Sequence, residues 1–137
     1  MPINGTITRK LSYLKEQLST LRSWDIGSLK HFSNNQMLRR AVERQLQVCV
    51  EAVIDICERV LAAKKIPPTG TSAGNLREIA ESGIIENADI YIDMIRFRNF
   101  IVHRYEAVEP EIVYDIVKNK LGILDRFINE ITAATEI

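Results

Sequence analysis

The stretch SNNQMLRRAVERQLQVCVEAVIDICERV, from Ser33 to Val60, decides the fold. Leu38, Val42, Cys49, Val53, Ile56 and Val60 recur at helical spacing and share one face, which Ala41, Val48 and Ala52 widen. A helix apolar around so much of its circumference is expected to be the central one. Ser33 with Gln36 three positions later reads as a capping box that opens it. Cys49 and Cys57 lie eight positions apart on this helix. That spacing corresponds to about 12 Å, too far for a disulfide. Both are expected as buried thiols in a reducing compartment.

Upstream, Ile7, Leu11, Leu14, Leu18 and Leu21 alternate steps of four and three, one helical stripe with Thr6 as its cap. Trp24 to Phe32 breaks that rhythm and reads as a connector. Downstream, Lys64 to Gly70 contains Pro67 and Pro68, and proline is expected to stop the central helix. A short helix follows from about Ser72 to Ser82, with Gly83 and Ile84 as a glycine C-cap and its hydrophobic contact. A further helix from about Asn87 to His103 sets Ile90, Met94, Phe97 and Ile101 on one stripe. Pro110 between Glu109 and Glu111 starts a last helix, carried by Val117, Leu121, Leu124, Ile128 and Ile131. With neither strand alternation nor repeats, the expected fold is all-α. It is an antiparallel up-and-down bundle of four main helices plus one short helix, a single domain over residues 1–137.

Composition limits the function. The 137 residues are 46% hydrophobic and 26% charged, which is ordinary for a globular domain. The net charge is zero, which argues against wholesale coating of nucleic acid or membrane but leaves room for a local basic site. Met1 to Thr6 lacks a signal-peptide core, and no apolar run approaches the roughly 20 residues of a membrane span, so a cytoplasmic protein with no membrane partner is expected. Two distant histidines and the absence of CxxC or HExxH leave no metal site to expect.

Chemistry is concentrated from Arg96 to Tyr105, where three arginines, a histidine and a tyrosine occur without an acid and interleave with Phe97, Phe100, Ile101 and Val102. At about 100° per residue, Arg96, Asn99 and His103 share one face, and Arg98, Val102 and Tyr105 another. Arg98 and His103 are then about 140° apart on an unbroken helix. They converge either if the last turn unwinds or if a second copy of the chain supplies one of them. Arginine binds phosphate oxygens through its fork, and histidine passes protons near neutral pH. Together they suffice for metal-free RNA cleavage in which the 2′-hydroxyl attacks its own phosphate. Arg39, Arg40 and Arg44 read as a solvated face, with an extended phosphate path as the alternative. Glu51 and Asp55, one turn apart, are either the anchor of a signature arginine or surface acids. Glu109, Glu111, Asp115 and Asp125 face either the basic segment or a partner's cation. Arg104 reads as solvated or phosphate-contacting, and Tyr105, taken alone, as a packed ring.

Arg98, His103 and Tyr105 make the pattern R-x4-H-x-Y. It stands in the order of a long helix with Arg40 to Arg44 and Glu51 to Asp55, a Pro/Gly loop, a short helix ending in Gly83-Ile84-Ile85, then Arg98-Asn99 and Val102-His103, with Tyr114 and Ile116 beginning the last helix. From about residue 5 to 130 the chain resembles the HEPN superfamily, specifically the HepT-like toxins of HepT/MntA-type toxin–antitoxin modules. The loop from Pro67 to Thr71 is its least distinctive part. The resemblance implies a homodimeric endoribonuclease acting on RNA, with Arg98 and His103 catalytic in the dimer cleft and Asn99, Arg96 and Arg104 supporting, Asn99 by holding the His103 ring. It also implies a nucleotidyltransferase antitoxin that silences the toxin by moving AMP from ATP onto Tyr105, no cofactor being needed for cleavage itself. An alternative of another class is a non-catalytic helical module docking onto a nucleotidyltransferase.

Overall fold

In the computed structural model the structure describes residues 5–103 and 109–135, the side chains of residues 99–103 excepted. Every regular element among them is helical: α1 Gly5–Ser23, α2 Leu29–Asn34, α3 Gln36–Ala63, α4 Ser72–Glu81, α5 Asp89–His103, α6 Pro110–Asp115 and α7 Gly122–Thr135. A π-helical turn, Ile116–Lys120, joins the last two. The chain is therefore all-helical; α2 is additional to the four main helices and the short one expected, and the expected last helix from Pro110 is divided into α6, the π-helical turn and α7.

α3 is the spine. Val42, Leu46, Cys49, Val50, Val53, Ile56, Cys57 and Val60 are buried along it, and it packs on α1, α2, α4 and α5. The α1 stripe, Ile7 to Leu21, is buried throughout as its spacing requires. Burial pushes the Cys49 thiol up to about 12 and raises that of Cys57 still further, which keeps both sulfurs protonated and inert. Ala41, by contrast, is exposed, so the central face narrows toward the start of α3.

Local chemistry sets the helix ends, in places differently from expectation. Asn35, not Ser33, caps α3: its side chain accepts from the Leu38 amide at 3.0 Å. Ser33 lies inside α2, a helix that begins in the expected connector and runs past its end, and that is capped by Ser28 at the His31 amide, 3.1 Å away. The prolines do not stop α3. Lys65 adopts a left-handed φ of 58°, and the amides of Lys65 and Ile66 close back on Ala62 and Leu61, so the helix has ended before Pro67 arrives. α4 ends as read, with Gly83 at φ 81° and Ile84 bonded back to Ile79. Thr71 caps the α4 start at the Gly74 amide, and Thr69 bonds through backbone and hydroxyl to the buried Asn75, which folds the Pro67–Thr71 loop onto that helix.

α5 shows the largest shift of face. Its buried residues are Tyr91, Ile92, Met94 and Ile95, while Ile90 and Phe97 of the expected stripe are half-buried. The Tyr91 ring meets Phe127 of α7 edge-on, with centroids 5.2 Å apart, and its hydroxyl donates to Glu130. Glu130 also accepts from the Glu86 amide at 2.7 Å. Burial, reinforced by the hydrogen bond to Glu130, holds the Tyr91 phenol well above its ordinary value. α7 is further tied to α1 by the Arg22 fork on Asp125, and Asp115 pairs with Lys120 at 3.3 Å. Among the described residues these two acids therefore pair with Arg22 and Lys120, and most of the basic segment's side chains lie outside the described residues. Among the described residues no helix is long and apolar enough to cross a membrane.

Tyr91→Phe keeps the ring contact but leaves Glu130 without its phenolic donor. It is expected to cost about 1–2 kcal/mol in urea unfolding; an unchanged midpoint would show that the α5–α7 tie rests on ring packing alone.

Candidate active site

The site is built on the last two turns of α5. Burying Tyr91, Ile92 and Ile95 against the core fixes the rotation of this helix, and that rotation carries Arg98 toward α3. The Arg98 guanidinium, its side chain 26% exposed, reaches Glu51 Oε1 at 3.3 Å. The same oxygen accepts from Gln47 Nε2 at 3.0 Å, one turn earlier on α3. Two donors thus converge on one carboxylate oxygen, which fixes the arginine's position from the spine of the fold.

The neighbouring candidates are distributed differently. Arg96 lies on the solvent side, 71% exposed and paired with Asp93 at 3.5 Å. Asp55 does not reach Arg98: one turn beyond Glu51 it faces α1, holding Lys10 at 2.5 Å, with Arg59 at 3.8 Å. Of the two acids only Glu51 meets the signature arginine. Arg39 turns back to the Ser33 carbonyl at 3.1 Å, while Arg44 stays exposed. The side chains of Asn99 and His103, and all of Arg104 and Tyr105, lie outside the described residues.

The backbone is α-helical through His103. The last turn therefore does not unwind before the histidine, and positions 98 and 103 lie about 140° apart around the helix axis. Among the described residues no group of three or more His, Cys, Asp and Glu side chains is placed to hold a metal ion. Spacing on α1 alone did not single out Lys10 and Tyr13, which line a groove with Arg44, Glu51 and Asp55 beside this site. Their only signal was a place on the flank of the α1 stripe.

An anchored, half-buried arginine at the end of a helix in an all-helical chain defines a candidate anion-handling site. The chain belongs to the Ribonuclease HepT-like family, whose model matches residues 14–131. It is 26% identical over 133 residues to the mRNA nuclease HepT of Shewanella oneidensis, spanning 96% of this chain and 99% of that one. Among solved structures it is similar to the tri-AMPylated Shewanella oneidensis HEPN toxin in complex with MNT antitoxin, with a TM-score of 0.85 and 25% identity over 96% of this chain and 99% of that one. A cytosolic protein of unknown function, YutE of Bacillus subtilis, shares the fold at a TM-score of 0.81 with 16% identity, over 96% and 90% of the two chains.

Because the Arg98–Glu51 pair is partly exposed, Glu51→Ala is expected to leave the helical signal intact and to lower stability by about 1 kcal/mol or less. A loss above roughly 3 kcal/mol in the same unfolding measurement would show that the pair is desolvated.

Proposed function

We propose that this chain is the ribonuclease toxin of a toxin–antitoxin pair, and that it cleaves RNA without a metal ion through Arg98 and His103. The observation that carries the reading is the Arg98 guanidinium held by Glu51 at the end of α5, with His103 in the helix's next turns, in a chain of the Ribonuclease HepT-like family. A fixed arginine fork suits the charge that develops on a phosphate under attack. In the reaction the ribose 2′-oxygen forms a bond to phosphorus and the bond from phosphorus to the 5′-oxygen breaks. The 2′-hydroxyl gives up its proton and the departing 5′-oxygen gains one. His103 serves one of these transfers, Arg98 neutralises the pentacoordinate phosphorus, and a 2′,3′-cyclic phosphate remains. DNA lacks the attacking hydroxyl and resists.

The site is composite on this account. Since α5 is unbroken between Arg98 and His103, the Arg98 of one protomer works with the His103 of its partner in the cleft of a homodimer. The four longer helices form an antiparallel up-and-down framework for that cleft, and the protein acts in the cytoplasm. Asn99 and the neighbouring Arg96 and Arg104 support the site, Asn99 by orienting the His103 ring. A nucleotidyltransferase antitoxin silences it: the Tyr105 phenolic oxygen takes AMP from ATP and pyrophosphate leaves. The added nucleotide brings bulk and phosphate charge to the place of the RNA backbone.

Arg98→Ala and His103→Ala are each expected to lower RNA cleavage at least a hundredfold without changing the circular dichroism, and wild-type cleavage should persist in EDTA. Cleavage that survives both substitutions would remove these residues from the chemistry, and cleavage abolished by EDTA would remove the metal-free mechanism. Pre-incubation with the partner and ATP should abolish activity while adding adenylate-sized mass that Tyr105→Phe does not acquire. If the unmodified dimer cleaves no RNA at all, the chain is a non-catalytic module that docks onto its nucleotidyltransferase.

A further inference from the structure

A groove of about 220 Å³ runs between α1 and α3, directly beside the Glu51–Arg98 pair. α1 contributes Lys10 and Tyr13, and α3 contributes Arg44, Glu51 and Asp55 over a floor of Val48 and Ala52. The charges come in equal numbers, and Lys10 and Asp55 neutralise one another at 2.5 Å. A phosphate track needs an excess of cations, so this groove suits a neutral group. Its floor is apolar, Ala52 being buried and Val48 half-buried. Tyr13 is an exposed aromatic at its wall, 45% accessible on an otherwise solvated flank of α1. Glu51 Oε1 is occupied by Gln47 and Arg98, whereas Oε2 accepts no hydrogen bond from the described residues. Arg44 makes no ion pair among the described residues and stands exposed at the rim.

These features match what single-stranded RNA offers next to a reacting phosphate. An unpaired base presents a flat apolar face to an aromatic ring and a polar edge to side chains, and its backbone passes a cation. We propose that the α1–α3 groove is the subsite for one base flanking the scissile phosphate, stacked on Tyr13 and read at its edge by Glu51. It rests on the ribonuclease reading and gives it a sequence preference. A carboxylate only accepts hydrogen bonds, so it favours the exocyclic amino groups of cytosine, adenine and guanine over uracil, which has no amino group and whose one N3–H donor is flanked by two carbonyl oxygens. Because Glu51 also holds Arg98, the base that fills the groove sits one hydrogen bond from the group that binds the phosphate. Lys10 and Asp55 close one end of the groove, and Arg44 meets the backbone phosphate at the rim.

The test is steady-state cleavage of short single-stranded RNAs in which each nucleotide around the mapped cut is replaced in turn by uridine. For Tyr13→Ala the expected change is a rise in KM of about tenfold, reversed by Tyr13→Phe, which keeps the ring. At one flanking position uridine should lower kcat/KM by roughly tenfold, and Glu51→Gln should shrink that ratio whatever it does to the overall rate. Tyr13→Leu, apolar but unable to stack, should follow Tyr13→Ala and replaces it if the alanine chain misfolds. The proposal is overturned if KM stays within about twofold in Tyr13→Ala and Tyr13→Leu, or if no flanking position discriminates against uridine. It is equally overturned if these variants weaken the dimer in sedimentation without changing KM, since a second copy would then cover the groove. Wild-type protein that cleaves none of the RNAs removes the ribonuclease reading itself, a result distinct from cleavage that ignores Tyr13.

Discussion

Burial of α3 from Val42 to Leu61 is the constraint from which the rest of the molecule follows. A 28-residue helix that is apolar on several sides must be covered on several sides, and α1, α4 and α5 are the elements that cover it. Covering it fixes their rotations. Once α5 turns Tyr91, Ile92 and Ile95 inward, Arg98 arrives against α3 one turn later, where Glu51 meets it. The polar contact at the site is thus a consequence of apolar packing upstream. Its modest energy as a partly exposed ion pair matters less than its aim: the packing holds the helix, and the ion pair selects the direction of one side chain.

The second tie on α5 comes from the opposite side. Tyr91 packs on Phe127 and donates to Glu130, and Glu130 gathers the Glu86 amide as well. The helix that carries the candidate chemistry is therefore clamped between the spine and α7 near its start, and it carries its functional side chains at the other end. This division suits a site that must be positioned accurately yet remain open to a polymeric substrate. α5 is also unbroken through His103, so positions 98 and 103 lie about 140° apart around its axis.

Much of this was legible in the sequence, and the differences have definite physical origins. The α1 stripe and the closure at Gly83 follow directly from periodicity and from one backbone conformation. α2 was missed because six residues are too few to establish a period. The end of α3 falls where the stretch from Lys64 to Gly70 begins, but its cause was assigned to proline, whereas Lys65 closes the helix in a left-handed conformation that its residue type does not advertise. On α5 the apolar residues occupy two adjoining flanks, so the reading through Ile90, Met94 and Phe97 met the core only at Met94, with Ile90 and Phe97 half-buried beside it. Glu51 and Asp55 look equivalent in sequence, but one helical turn separates a neighbour on α5 from a neighbour on α1. Tyr13 gave no signal beyond its place on the flank of the α1 stripe, because an exposed aromatic there acquires meaning only when α3 is laid against it.

The central claim, that Arg98 and His103 act on one phosphate from two different chains, is tested most directly by mixing two inactive proteins. Arg98→Ala and His103→Ala chains, unfolded together and refolded, give dimers of which about half contain one chain of each kind. In such a mixed dimer one site carries both substitutions and the other carries neither. The account predicts that the refolded mixture regains about a quarter of the wild-type RNA-cleaving activity, while each variant refolded alone stays inactive. A mixture as inactive as its components would mean that each chain assembles its own arginine and histidine, and the composite site would be wrong.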